Sequence, residues 1–522
     1  MIDKFDRRGF LKAAMLGSAA VAAGVGMAGC VPSAQSSDAG LAATGSDVPD
    51  TWDEECDVLV VGSGFAGLAA AYEAANAGAN VLVVEKMGMT GGNSCYAGGW
   101  MAVCNSTAQK DQGIEDSVDT YVSDMLTAGL NLNDVEKCKL VAEKSNETWE
   151  WTVNEIGVEW TKNSEGNYDL VPQGGHTIIR SFVPAQGSGS GITTPLTEKI
   201  TELGVAIKTD CMLVKIIRDA EGRVVGIQAQ DGAKNNDPET GKPIYIKANK
   251  GVVLANGGFG ADVEWRMQHD PRLDDTLDCT NQPGATAECL AAAMRAGALA
   301  VHLDWIQLGP WCSPDEKGYG AGPNYIDGNV GYGMSIDPRS GQRVVNELAD
   351  RRIYSNAIID NGVPLIQVVD EQNIPEWNSG MYLDLAMEAG ITKKFDTIDE
   401  VIEAYELPRE DFLAQLERYN GFVEKGVDEE FGKLIPDDAV PIGDGPFYIT
   451  RIWPKVHHCM GGLKADMNTC VLDVDLNPIP GLFAAGEATG GVHGACRLGT
   501  CATTECLVNG RIAGKAAAGV EA

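Results

Sequence analysis

Two periods of apolar residues run through this chain, and the switch between them marks its first organised unit. Residues 58–61 read VLVV, an unbroken apolar run of the kind a parallel strand shows when both faces are covered. A glycine-punctuated turn follows. After it an alanine-rich stretch, predicted helical from Phe65 to Ala77, is stopped by Gly78. Val81 to Val84 form a second apolar strand. Further on, 114–156 carries a helical pattern, and another helix is expected around 194–203. Residues 206–218 and 224–230 alternate like antiparallel strands with a turn at Glu221-Gly222. GVVLANGG, 251–258, is a buried strand ending in two glycines, and helical patterns recur at 398–405 and 409–422. The succession of strand, helix and strand predicts an α/β unit with parallel strands.

The first turn carries chemistry. Gly62, Gly64 and Gly67 stand at GxGxxG spacing around Phe65 and Ala66. The first glycine permits a sharp turn, the second a close approach of backbone to a pyrophosphate, the third close packing of helix on strand. The helix then presents its N–H groups and positive dipole end to that phosphate. Glu85, followed by Lys86, ends the second strand 18 residues after Gly67, where an acid can accept the ribose hydroxyls of an adenosine. Strand, helix and acid agree, so a dinucleotide site is expected. The motif alone does not separate FAD from NAD. A second glycine-rich loop, Gly91-Gly92-Asn93-Ser94 with Gly98 and Gly99 behind it, can continue along the same diphosphate toward a flavin, and Gly257-Gly258 is another backbone approach.

Residues 1–30 read as a targeting segment. Arg7-Arg8 opens a twin-arginine signature, a short apolar stretch follows, and Met27-Ala28-Gly29-Cys30 resembles a lipobox. Export with lipidation at Cys30 is expected, and a mature N-terminus of unmodified mass would exclude the lipid. Residues 31–50 read as a flexible tether. A formal net charge of −34 argues against nucleic acid and against a basic membrane-facing patch. The 14 cysteines include no CxxC pair and no CxxCH haem site. Most read as small buried apolar residues. Cys459, Cys496, Cys501 and Cys506 crowd the C-terminal region, and an iron–sulfur role for them is left open. No metal ligand set is assigned.

The motifs GSGFAG, GGNS, LANGGFG, TNQPGAT, GQRVVNELADR, HHCMGG, GLFAAGEATGGVHGACRLG and GRIAG together resemble the fumarate reductase/succinate dehydrogenase flavoprotein superfamily, in particular its soluble, exported fumarate reductase branch. The resemblance covers about residues 55–517. It implies a doubly wound FAD-binding domain of glutathione reductase type, 51–303 with 459–522, and an inserted α+β capping domain, 304–458, hinged near Asp304 and His457. It implies noncovalent FAD, with Glu487 at the ribityl or pyrophosphate region and Leu498 nearby. It also matches His457 to a substrate-binding histidine, Arg497 to the arginine that clamps a substrate carboxylate, and Arg351 to the arginine that protonates the substrate after hydride leaves flavin N5. Asp327 lies near the expected relay carboxylate.

Departures from that pattern point to the substrate. Gly309 stands where a histidine before proline would bind a second carboxylate. The relay arginine aligns near Val330, and Thr500-Cys501 replaces the usual Gly-Asn. Trp305, Trp311, Tyr319, Tyr325 and Tyr332 surround the altered end. The reading is an exported reductase of an α,β-unsaturated carboxylate bulkier or more aromatic than fumarate, supplied with electrons by a membrane quinol dehydrogenase or a cytochrome c. Two alternatives stay open: a steroid-type enone reductase or dehydrogenase on the same scaffold, and a noncatalytic flavin electron-transfer protein.

Overall fold

A computed structural model describes residues 48–521 apart from 164, 172, 376 and 377. The targeting segment 1–30, Cys30 and most of the 31–50 tether lie outside the described residues. Among the described residues no helix is long and apolar enough to cross a membrane.

The principal sheet runs in the order Cys470–Leu472, Pro478–Ala484, Lys242–Leu254, Glu54–Val61, Val81–Val84, Ala206–Lys208. Neighbours from Pro478–Ala484 to Ala206–Lys208 are parallel, as continuous apolar runs require. Side-chain alternation splits the core in two. Val58 and Val60 face a cluster with Leu68, Ala69, Leu196 and Leu507, whereas Leu59 and Val61 face one with Ile216, Ile227 and Leu290. On the first face the helices Phe65–Asn76 and Cys501–Ala518 cross in close contact. A Cβ at Gly510 would sit 2.4 Å from the Ala66 carbonyl oxygen, and one at Gly514 2.2 Å from that of Ala70. The GRIAG glycines are therefore there for helix packing.

Two strand expectations change. The predicted 206–218 strand is two strands. Ala206–Lys208 extends the parallel sheet, the chain turns at Asp210 with φ +54, and Cys211–Arg218 pairs antiparallel with Val224–Asp231. The buried strand begins well before Gly251: Lys242–Leu254 pairs along its first half with Val224–Asp231 and along its last residues with Pro478–Ala484. Its outer half alternates polar and apolar and lacks the buried-run signature.

Between these parts stands a five-stranded antiparallel sheet in the order Gln342–Arg343, Met334–Asp337, Leu365–Asp370, Phe447–Ile452, Thr392–Phe395. Ile366, Val368 and Ile449 pack under Phe412, Leu416 and Tyr419 of the helix Arg409–Lys425. Leu365 and Ile452 pack with Tyr325 and Tyr354 on the other side. The chain enters this region through Ile306–Gly309 and leaves through Lys455–Cys459, and these two strands pair, Gln307 opposite His458 and Gly309 opposite Lys455. Entry and exit side by side bring residues distant in sequence to one place.

Candidate active site

A first cavity, about 100 Å³, is walled by the turn after Glu54–Val61 and by the ends of the neighbouring strands. Gly62, Gly64, Phe65, Ala66, Glu85, Lys86, Gly92, Asn93, Ser94, Gly257 and Glu487 line it. Gly62 has φ +102, and a Cβ there would lie 2.4 Å from the Ala255 carbonyl oxygen, so only glycine fits. No side chain caps the helix Phe65–Asn76 at Gly64, which leaves first-turn N–H groups for a phosphate. One of them, Phe65 N–H, donates to Ser94 Oγ at 3.0 Å. Glu85 is buried and already holds the loop: Oε2 accepts from Ser63 N (3.0 Å) and Ser63 Oγ (2.6 Å), and Oε1 from Met87 N (2.9 Å). Of about four lone-pair sites on a carboxylate, this leaves one, enough for a single ribose hydroxyl rather than two. Lys86 pairs with Glu288 and Thr286.

Three members of the expected cofactor set lie back from the walls of both cavities. Gly67 packs helix on turn, since a Cβ there would meet the Gly62 carbonyl oxygen at 1.9 Å. Gly258 lies behind Glu487, 2.5 Å from Oε1 to a would-be Cβ. Leu498 turns its side chain into a small core with Tyr121 and Cys501. Gly98 and Gly99 line the second cavity instead.

That second cavity, about 220 Å³, shares Phe65, Asn93, Ser94, Glu487 and Cys506 with the first, so the two meet. It is lined by His457, Arg497, Arg351 and Asp327, contributed by four separate segments. His457 Nε2 accepts from Arg497 Nη2 at 3.2 Å, which places the ring proton on Nδ1, donated to Thr280 Oγ1 at 2.8 Å. Burial, with Arg351 and Arg497 beside it, holds His457 neutral, well below the usual histidine range. Arg497 is 9% exposed, and burial and then the positive charge of Arg351 lower its pKa to about 10. Its Nε has no partner.

Arg351 begins the helix Arg351–Asn361, capped by Asp350, whose Oδ1 accepts from Arg352 N and Ile353 N. Glu347 is committed to Arg343 at 2.6 Å. Neither neighbouring acid therefore takes Arg351. Its guanidinium lies over the Trp311 ring at 4.8 Å and donates to Gln307 Oε1 at 3.4 Å. Gln307 Nε2 in turn donates to the Arg497 carbonyl at 3.2 Å, joining the two arginines through one side chain. Asp327 is exposed toward the cavity, and the protein surrounding that cavity raises its pKa to about 6 against the pull of Arg351. Glu487 accepts from Cys459 N at 2.8 Å, and its burial raises its pKa to about 7.

Two guanidiniums facing one cavity are an anion site. Leaving such charges enclosed and unpaired costs several kcal/mol. Each hydrogen bond to a bound carboxylate returns about 1.5–3 kcal/mol, so two or three suffice to offset it.

The aromatic cluster expected at this end does not assemble there. Tyr319 lines the cavity, but Tyr325 is core, Tyr332 bonds Asp438 at 3.2 Å, and Trp311 sits under Arg351. Trp305 contributes its backbone to Met460. The aromatic walls are instead Phe65, Tyr96 and Trp100, next to the glycine loops. Val330 is buried in the core beside Tyr325. Thr280 and Asn281 of TNQPGAT, and Gln307, were not singled out by sequence, although the first two lay inside a noted motif. The four C-terminal cysteines have separate partners: Cys459 accepts from Phe259 N, Cys496 from Gln307, Cys501 from Tyr121, and Cys506 donates to Glu505. Among the described residues no group of three or more acidic, cysteine or histidine side chains could hold a metal.

A glycine cradle with an open helix end opens into a cavity with two arginines and a neutral histidine, an arrangement suited to a dinucleotide beside an anion. Comparison with known proteins agrees. Residues 57–502 match the FAD binding domain family. The acrylate reductase flavoprotein subunit of Shewanella woodyi is 37% identical over 98% of each chain. The urocanate reductase of Eggerthella lenta is 35% identical over 90% of this chain and 76% of its own. The open conformation of a flavocytochrome c3 fumarate reductase superposes with a TM-score of 0.74 at 28% identity, over 99% of this chain and 81% of its own. The chain belongs to the fumarate reductase/succinate dehydrogenase flavoprotein superfamily, its cofactor is FAD, and it is an oxidoreductase acting on C=C bonds.

Proposed function

We propose that the protein reduces the C=C bond of an α,β-unsaturated monocarboxylate. The observation that carries this reading is the charge map of the second cavity: its cationic groups are Arg351 and Arg497 with His457 and His458 neutral, and the remaining charged walls are Asp327 and Glu487. One carboxylate is accommodated. A second would find no further cation among the residues lining the cavity, since Gly309 offers no side chain, and would meet the acid Asp327 on the wall. The argument rests on charge, because the aromatic cluster that favoured a bulky substrate is elsewhere. The names of the acrylate and urocanate reductases, both acting on monocarboxylates, support it.

Bound FAD supplies the hydride. Arg497 holds the substrate carboxylate, oriented by the Nε2 of Thr280-supported His457, which accepts from it, and its fixed donors stabilise the charge that builds there as the alkene is attacked. Arg351 gives a guanidinium proton to the α-carbon. Stacking on Trp311 and the bond to Gln307 hold it in place for this transfer. Asp327, on the cavity wall and subject to the charge of Arg351, is the acid that returns the proton. Electrons come from a separate respiratory donor, a membrane quinol dehydrogenase or cytochrome c, and the similarity to the flavoprotein subunit of an acrylate reductase supports such a partner.

The test is anaerobic reoxidation of reduced viologen by the FAD-loaded protein with acrylate, trans-cinnamate and urocanate, each beside its amide, and with fumarate. Turnover of an acid at least about tenfold above its amide and above fumarate is expected, the loss of one charged hydrogen bond being worth about that much. Fumarate as the best acceptor would overturn the reading, and a neutral enone as the only acceptor would transfer it to the steroid-type alternative.

A further inference from the structure

The aim of Arg497 is set from behind. Its own side-chain bonds are long, 3.2 Å to His457 and 3.4 Å to the Leu498 carbonyl, so its direction depends on the backbone that carries it. That backbone ends in a tight turn. Thr500 has φ +61, a left-handed conformation that β-branched residues rarely take, and it begins the helix Cys501–Ala518 without a side-chain cap. Two side chains tie the turn down. Ser181 Oγ lies 2.9 Å from Thr500 Oγ1, and His176 Nε2 lies 2.8 Å from the Gly499 carbonyl oxygen.

His176 is itself clamped. Arg180 Nη1 donates to its Nδ1 at 2.8 Å. Arg180 is buried and bonded to Asp116 at 2.9 and 3.0 Å and to Asp124 at 2.6 Å, and Asp124 also accepts from Thr177 N and Oγ1. A guanidinium only donates, so Nδ1 must accept and the ring proton must sit on Nε2, pointing at Gly499. Burial lowers the His176 pKa to about 4, with Arg180 acting in the same direction, so this single tautomer persists at neutral pH.

We infer that His176 is a positioning residue for carboxylate recognition: locked in one tautomer by Arg180, it holds the Gly499–Thr500 turn and thereby aims Arg497 at the substrate. The inference rests on the reading of Arg497 as the carboxylate clamp.

Two conservative variants divide the histidine's bonds. His176→Asn keeps an acceptor for Arg180 but falls short of Gly499. His176→Gln keeps a donor for Gly499. Acrylate, trans-cinnamate and their amides are titrated into each FAD-loaded protein and followed by the flavin absorbance change, with FAD content and thermal unfolding recorded alongside. His176→Asn is expected to weaken acid binding about tenfold, with amide affinity unchanged within about twofold. His176→Gln is expected to keep acid affinity within about threefold of the parent. In turnover the Asn variant shows the loss chiefly in KM. Acid affinity unchanged in His176→Asn, or reduced equally in both variants, would overturn the inference alone. Failure of the parent to bind any acid would overturn the reading of Arg497 and the inference with it. If His176→Asn did not retain FAD, a tenfold loss in His176→Gln would still refute the idea and parent-like acid affinity would support it.

Discussion

The two cavities of this protein meet at Glu487, yet they are built on opposite principles. The cofactor cradle is backbone: Gly62, Gly64 and the uncapped start of one helix, all within a dozen residues. The second cavity relies on side chains, Thr280, Asp327, Arg351, His457 and Arg497 among them, contributed by five separate segments. A cradle made of main chain fixes what binds through shape and tolerates little change. A cavity made of side chains can be changed one wall at a time. Binding of cofactor and choice of substrate are therefore separable by mutation.

The largest effect expected from breaking this division is at Arg351. Its guanidinium touches Trp311 and Gln307 and lies outside the cradle. Arg351→Ala should lower kcat about 10³-fold, the combined scale of losing a proton donor and a charge-stabilising group, while FAD content and flavin absorbance stay as in the parent. Stopped-flow reoxidation of the pre-reduced variant by the preferred acid measures this. A loss under tenfold would remove Arg351 from the chemistry, and a loss of FAD would show that the two cavities are not independent.

The reverse experiment is smaller. Glu85 has one free lone pair for a ribose hydroxyl, and its other sites hold Ser63 and Met87. Glu85→Gln should raise the FAD dissociation constant about tenfold, the worth of one charged hydrogen bond, with kcat of the saturated enzyme unchanged. Titration of the apoprotein by flavin fluorescence quenching gives the constant. An unchanged value would mean that Glu85 only braces the Ser63 loop.

The same contrast explains what the sequence disclosed. Glycines under backbone constraint announce themselves, because a Cβ at Gly62 or Gly67 has nowhere to go. The GxGxxG turn, the buried strands beside it and the acid at Glu85 were therefore readable from local spacing. Arg351 was not readable that way: beside Glu347 and Asp350 it looked like half of an ion pair, and only its motif suggested otherwise. The structure shows why the local reading misleads, since Glu347 serves Arg343 and Asp350 caps the helix. The five aromatics near Gly309 failed in the opposite sense. They are near in sequence, but burial in the core sends Tyr325 inward and a bond to Asp438 holds Tyr332. His176 gave no signal, because its partners Arg180, Asp116 and Gly499 come together only in three dimensions. The split of 206–218 was hidden in one residue, Asp210, whose positive φ turns the chain between two sheets' worth of alternation.

The smallest predicted effect probes the altered end of the substrate cavity through pH. The Asp327 pKa rises from 3.8 to about 6 because enclosure disfavours its charge, although Arg351 pulls the other way. Below that pH it is protonated, able to return a proton to Arg351 and neutral toward an incoming carboxylate. Above it the carboxylate cannot donate, and it also repels the substrate and competes for Arg351. Both consequences have the same sign, so kcat/KM for the preferred acid should fall as pH rises through about 6. Asp327→Asn removes the titration. Its profile should lack that limb, with a rate above pH 7 within a few-fold of the parent's, because one neutral wall group has replaced an anion at modest distance from the arginines. A pH profile of initial rates for the two proteins, taken with the acid and with its amide, separates the two consequences. Repulsion acts on the acid alone, and proton return acts on both. A limb near pH 6 that survives in Asp327→Asn would assign it to another group, such as Glu487 on the same cavity wall at about 7.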